Sequence, residues 1–185
     1  MIDYTKYLRE TVADMVTVCS ELSHVKLRQL AFSFVRAKST KRNGLLASLT
    51  PLRFEDGQTV TSRRGVLYQI PQLVIGGVEM LYIVSFVYPR FLDLSFEQKT
   101  NTIIHELWHI SEKFDGDIRR YPGRTFAHSG RKSKFDEEVE AVATKWLQRT
   151  SFSLDVLKLN STNLIKKYEK VVGQKVTKPR LVRLP

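Results

Sequence analysis

An apolar block in the middle of the chain, residues 102–110, constrains the fold more than any other feature. It contains His105-Glu106-Leu107-Trp108-His109, which is the pattern H-E-x-x-H. Ser95 and Gln98, just before it, have the spacing of a capping box at a helix start. Histidines four positions apart lie about one turn apart on one helix face, so both imidazoles can reach one metal ion. We therefore predict a helix from about residue 96 to residue 113, with one face on the core and the other carrying two metal ligands.

One of the residues between the two histidines, Glu106, can take part in catalysis. Glu106 points near the same ion and can act as general base on a metal-bound water. A zinc ion lowers the pKa of such a water to about 7, so a hydroxide-like nucleophile exists at neutral pH. Glu106 can then pass the proton to the leaving amine. The motif therefore predicts an enzyme, a zinc-dependent hydrolase of peptide bonds with one Zn²⁺ per chain and no other cofactor.

A catalytic zinc needs three protein ligands and one open position. The chain has four histidines, and His128 lies nineteen residues after His109, beyond a loop with Gly and Pro that can bring the chain back over the helix. We take His128 as the third ligand. The alternative is a carboxylate from the next helix, Glu137 or Glu138, although acids in the first turn of a helix also interact favourably with its dipole.

The loop after the motif carries the candidates for contact with the substrate or the developing oxyanion. They are Tyr121, Arg119, Arg120 and Arg124. These arginines can instead pair with Asp115 and Asp117, and the sequence does not choose among them. Second-sphere acids should orient the ligand histidines, and Asp115, Glu137 and Glu138 are the candidates.

Composition predicts a soluble cytoplasmic protein. The 185 residues include one cysteine, so no disulfide framework is possible within the chain. The start lacks the pattern of a secretion signal, and the longest apolar run is far shorter than the ~20 residues that span a bilayer. The formal net charge is +11, which makes nucleic acid a candidate partner beside a peptide or protein substrate.

Periodicity elsewhere predicts an α+β domain over residues 1–174. We expect further helices near residues 4–22, 135–147 and 161–171. We expect strands at 29–36, 65–70 and 78–88, of which the last has the highest β-branched and aromatic content. By analogy with other metallopeptidases, the edge of strand 78–87 could pair with an extended substrate. Residues 175–185 form a basic tail that we expect to be exposed and mobile.

Several segments resemble the zincin-like metallopeptidases. Within that group the chain is most similar to a family of bacterial and phage metallopeptidases, over most of residues 25–140. The H-E-x-x-H block is the specific part of the resemblance. Supporting segments are Pro51-Leu52-Arg53-Phe54, Tyr88-Pro89-Arg90-Phe91-Leu92-Asp93-Leu94, Ile110-Ser111, Phe114-Asp115-Gly116-Asp117-Ile118-Arg119-Arg120, Gly123-Arg124 and Ala127-His128.

The resemblance implies a small twisted, mostly antiparallel sheet packed on the active-site helix, with flanking helices. It also implies zinc on His105 and His109, catalysis by Glu106, and a third histidine that falls on His128. The metzincin continuation H-x-x-G-x-x-H is missing. A weaker likeness connects the chain to SprT-like proteases, which act on DNA-bound proteins. Two alternatives therefore stay open: a protease for nucleic-acid-bound proteins, and a zinc-stabilised nucleic-acid-binding protein without catalysis.

Overall fold

The computed structural model describes residues 1–37, 44–121 and 132–185, with the side chains of residues 132 and 133 left out. In this part of the chain the fold is a mixed α+β arrangement of four α-helices and several small sheets. The helices are α1 (Tyr4–Val18), α2 (Phe96–Trp108), α3 (Lys132–Arg149) and α4 (Ser161–Tyr168). The strands are β1 (Ile2–Asp3), β2 (Leu30–Arg36), β3 (Ala47–Pro51), β4 (Val60–Arg63), β5 (Val66–Gln69), β6 (Leu73–Ile75), β7 (Val78–Met80), β8 (Tyr82–Tyr88), β9 (Val171–Val172) and β10 (Val182–Arg183).

The central sheet has the order β2-β8-β3 and positions the candidate site. β2 runs parallel to β8, with Leu30 opposite Tyr82, and β3 runs antiparallel on the other side, with Ala47 opposite Phe86. The expected mostly antiparallel character is not found in this sheet, because the antiparallel ladder of β3 with β8 is shorter than the parallel ladder of β2 with β8. The predicted strand at 78–88 divides into β7, in a hairpin with β6, and the central β8.

Side-chain alternation along β8 explains how the sheet and helices pack. Successive strand residues point to opposite faces. Tyr82, Val84 and Phe86 lie in the main core, which also contains the apolar residues of α1 and α2, whereas Ile83 belongs to a smaller cluster on the opposite face. The side chains of α2 that enter the main core are Ile103, Ile104 and Leu107. This packing fixes the rotation of α2 and therefore the direction in which its histidines point.

The N-terminus of α2 is as predicted, but its C-terminus is not. The Gln98 N–H donates to Ser95 Oγ at 3.2 Å, and the Ser95 N–H donates to Gln98 Oε1 at 3.0 Å, which completes the capping box. The helix ends at Trp108 instead of residue 113. After His109 the chain instead forms an isolated antiparallel bridge between Ile110 and Ile118, and Phe114 takes a positive φ of 51° in the intervening turn.

The C-terminal tail makes backbone hydrogen bonds to two sheets. The Val176 N–H donates to Ser33 Oγ at 2.9 Å. Further on, β10 pairs antiparallel with β5, and the Leu184 N–H donates to Leu67 O at 2.9 Å. The expected mobility of this tail stays a prediction. Among the described residues, no helix combines the length and apolar character needed to cross a membrane.

Candidate metal centre

The two motif histidines point their Nε2 atoms at each other. These atoms lie 3.1 Å apart, and the ring planes are close to perpendicular at 84°. Two nitrogens that each sit about 2.05 Å from a tetrahedral zinc are separated by about 3.3 Å. A pair of neutral imidazoles can also share a hydrogen bond at this distance. The spacing and the donor chemistry of His105 and His109 nevertheless fit two corners of a zinc site.

Phe135, from α3, packs against both histidine rings. Its ring centroid lies 4.9 Å from that of His105 and 5.2 Å from that of His109, in a stacked arrangement with the latter. The Phe135 side chain is fully buried. From the sequence, Phe135 is only the expected first residue of a helix. The available signal was a lone aromatic residue between Lys134 and Asp136, since such a residue in a charged helix start must pack on something apolar.

Glu106 is buried beside the same histidines and faces a cavity. Its side chain and that of His105 line a cavity of about 470 Å³, together with Asn101, Thr102, Asp136, Val139 and residues 44–47. Burial raises the pKa of the Glu106 carboxyl to about 7, and a hydrogen bond from the Leu49 backbone opposes that shift. A carboxyl with this pKa exchanges protons near neutral pH, which is what a general base requires.

The third ligand is not visible in the described part of the chain. The predicted ligand His128 lies outside the described residues, as does Arg124. Within residues 1–37, 44–121 and 132–185, no three His, Cys, Asp or Glu side chains come together as a possible metal group. The structure therefore does not bring Glu137 or Glu138 to the histidine pair as a third ligand. Glu137 is exposed, and Glu138 lines a different cavity of about 540 Å³.

Tyr121 and Arg119 also line this second cavity, beside the C-terminal end of α2. The Trp108 Nε1–H donates to the Tyr121 hydroxyl at 3.2 Å, and the Tyr121 ring lies 6.3 Å from that of Phe135. The Arg119 guanidinium lies 4.3 Å from the Trp108 ring centroid, a cation–π geometry. Its partner Glu112 is 3.5 Å away and largely exposed. Among the described candidates for contact with the substrate, Tyr121 therefore lies near Phe135, the residue that packs on both histidines.

Arg120 and Asp115 have structural partners instead. Arg120 donates from Nε and NH2 to the two carboxylate oxygens of Asp117, at 2.7 and 2.9 Å. That pairing raises the pKa of Arg120, and Asp117 itself is nearly fully buried. Asp115 Oδ1 accepts the Asp117 N–H at 3.1 Å, which closes the turn. The alternative that these arginines stabilise the loop therefore holds for Arg120.

The chain matches no protein-family model, no curated protein and no solved structure.

Proposed function

We propose that the chain is a zinc-dependent metallopeptidase, in which His105, His109 and His128 hold the metal. The observation that carries this proposal is the approach of the two Nε2 atoms to 3.1 Å beside a buried Glu106 that faces a cavity. When bound, zinc supplies a Lewis acid that polarises the scissile carbonyl and lowers the pKa of a water to about 7. Zincin-like architecture, with α2 as the active-site helix, is part of this proposal.

The protein's own residues prepare the site in two ways. The Phe135 ring packs on both imidazoles, which restricts their rotation and keeps water from that side. Rigid support of this kind matters because small displacements of reacting groups cost large factors in rate. The carboxylate of Glu106 accepts the proton of the attacking water and delivers it to the leaving amine.

The edge of β3 is the proposed place for an extended peptide. The strand predicted at 78–87 does not suit this role, because β8 lies in the middle of its sheet and is paired on both sides. β3 pairs only with β8 among the described strands, so its other edge can accept main-chain hydrogen bonds. Ala47, the first residue of β3, and the segment leading to it line the cavity that contains His105 and Glu106. A peptide on this edge would therefore pass the proposed base.

The substrate's developing oxyanion requires a further donor. We propose Tyr121 for this role, because its ring contacts Phe135 and its hydroxyl lies at the end of the motif helix. Arg119 is the second described candidate. Arg120 is less suited, since Asp117 occupies its guanidinium.

Glu106→Gln tests the proposal, with Glu97→Gln as the matched control on an exposed position of the same helix. We expect zinc-loaded wild type and Glu97→Gln to cleave members of a fluorogenic peptide library. Glu106→Gln should bind zinc equally but cleave at least about 100-fold more slowly, because loss of a general base typically costs this much. The readouts are zinc content by elemental analysis and initial cleavage rates.

Three results would contradict the proposal. The first is a wild-type protein that binds no zinc. The second is a zinc-loaded wild type that cleaves nothing in the library or in unfolded protein substrates. The third is a Glu106→Gln variant that cleaves as fast as Glu97→Gln.

A further inference from the structure

The face of the central sheet opposite α2 forms an open groove. Ser33 lies opposite Ser85 on one side, and Ser48 lies opposite Ser85 on the other, so three serines form a row across the sheet. This face borders a cavity of about 670 Å³, whose floor includes Ser48, Thr50 and Ser85. These three side chains are half-buried. Along one side the groove is bordered by the tail segment, where Val176 is hydrogen-bonded to Ser33.

The charged residues that line the groove all have the same sign. They are Arg36, Arg90, Lys175 and Lys178, and no described acidic residue lines it. Arg36, Lys175 and Lys178 are exposed and form no ion pair with a described carboxylate. By contrast, Lys145, which lies outside the groove, forms an ion pair with Glu21 at 2.8 Å. Like charges gathered without carboxylates repel one another, and an external polyanion would relieve that repulsion.

The floor of the groove favours contact with phosphates over contact with bases. Hydroxyl groups such as those of Ser48, Thr50 and Ser85 are common donors to phosphate oxygens. Single-stranded nucleic acid is usually held by exposed aromatic rings on which the bases stack. Phe34 is the only aromatic side chain among the described groove residues, and its ring packs on Tyr4 and Tyr88 at 5.3 and 5.7 Å.

We propose that this groove binds the phosphate backbone of double-stranded DNA. The duplex carries one negative charge per about 1.7 Å of its axis, which complements a groove whose charged lining residues are all cations. The inference does not depend on the metal centre, because His105, Glu106 and His109 do not line the groove. Leu45 lines both this groove and the cavity of Glu106, so the two sites lie on either side of the start of β3.

The test compares two variants of equal charge. The groove variant combines Arg36→Gln, Lys175→Gln and Lys178→Gln. The control combines Arg63→Gln, Lys166→Gln and Lys170→Gln, three exposed positions outside the groove. Each lowers the formal net charge from +11 by three. Binding is measured by fluorescence anisotropy with a labelled short DNA duplex over a series of salt concentrations, and thermal melting checks that each variant is folded.

We expect the groove variant to bind the duplex at least about tenfold more weakly than wild type, and the control to stay within about threefold. The slope of log K against log salt should also become shallower by about 0.9 for each phosphate contact that is lost. If the groove variant does not fold, the single substitutions Arg36→Gln and Lys178→Gln should each give part of the loss.

Three outcomes would overturn the inference. One is a wild type that does not bind the duplex even at low salt. Another is an equal loss of affinity in groove and control variants, which would show that net charge alone attracts DNA. The last is equal or tighter binding of a single strand or an RNA duplex of the same sequence, which would remove the assignment to double-stranded DNA.

Discussion

The backbone N–H of Arg119 donates to the carbonyl oxygen of His109 at 2.7 Å, so the last residue of the motif is held by the segment that follows α2. The last carbonyls of a helix have no partner within the helix and need one elsewhere. Here the returning strand-like segment supplies it, and the Ile110–Ile118 bridge lies beside it. His109 is thus fixed by the backbone on one side and by the Phe135 ring on the other.

The identity of the third zinc ligand gives the first prediction. We expect His128→Ala to lose most of its bound zinc, because a catalytic zinc requires three protein ligands. Glu137→Ala and Glu138→Ala should keep it, since neither carboxylate joins the histidine pair in a ligand group within the described part of the chain. His24→Ala is the control for the loss of any histidine. Zinc content is measured by elemental analysis after dialysis against a weak chelator.

If His128→Ala kept its zinc and Glu138→Ala lost it, Glu138 and not His128 would be the third ligand. If His24→Ala also lost its zinc, the loss would reflect unfolding instead of a missing ligand. The melting temperature of each variant shows whether it is folded.

The start of α2 and the bounds of β2 could be predicted from the sequence because their signals are local. Ser95 and Gln98 form the predicted capping box, and β2 begins and ends within one residue or so of its expected bounds. The end of α2 could not be predicted in this way. Apolar residues continue to Ile110, but Ile110 pairs with Ile118 in an antiparallel bridge instead of continuing the helix.

Features that depend on contacts distant in sequence were also missed. The central position of β8 follows from pairing with both β2 and β3, which no local pattern reveals. Phe135 meets the motif histidines only because α3 packs against α2. The pair His105 and His109 was predictable because helical geometry alone fixes its spacing, whereas the groove on the other face of the sheet requires the tail to lie beside β2.

Lys99 provides a prediction about pH and stability. This side chain in α2 is fully buried, and its Nζ donates to Leu157 O at 2.9 Å and Leu159 O at 2.6 Å. Burial lowers the pKa of Lys99 to about 8 from its ordinary 10.5. Between these two values the unfolded chain binds the proton more tightly, so this group makes the folded state more stable as the pH rises.

We expect the free energy of unfolding of wild type, relative to that of Lys99→Met, to rise by about 1 to 3 kcal/mol between pH 7.5 and pH 10.5. Urea unfolding at each pH measures both values. The difference between the two proteins cancels the titration of all other groups. Lys166→Met, at an exposed position, should follow wild type throughout. A constant difference between wild type and Lys99→Met would mean that the buried ammonium keeps its ordinary pKa.

Gly116 gives a prediction for the turn that returns to His109. Its φ is +90°, and its N–H donates to the Tyr82 hydroxyl at 2.9 Å. An added Cβ would collide with Arg53 Cγ and lie 2.9 Å from Arg53 Cβ. Gly65 is the matched control, because its φ is +76° but an added Cβ would meet no heavy atom within 4 Å.

Gly65→Ala should therefore cost only backbone strain, about 1 kcal/mol in the free energy of unfolding. Gly116→Ala should cost about 2 to 4 kcal/mol, because the collision with Arg53 adds an overpacking penalty to the same strain. Urea unfolding of both variants and wild type at one pH measures the difference. Since Arg53 also pairs with Glu79, the variant Arg53→Ala in the Gly116→Ala background should recover part of the added cost. Equal costs at the two glycines would show that Arg53 moves aside freely and that the turn does not depend on this close approach.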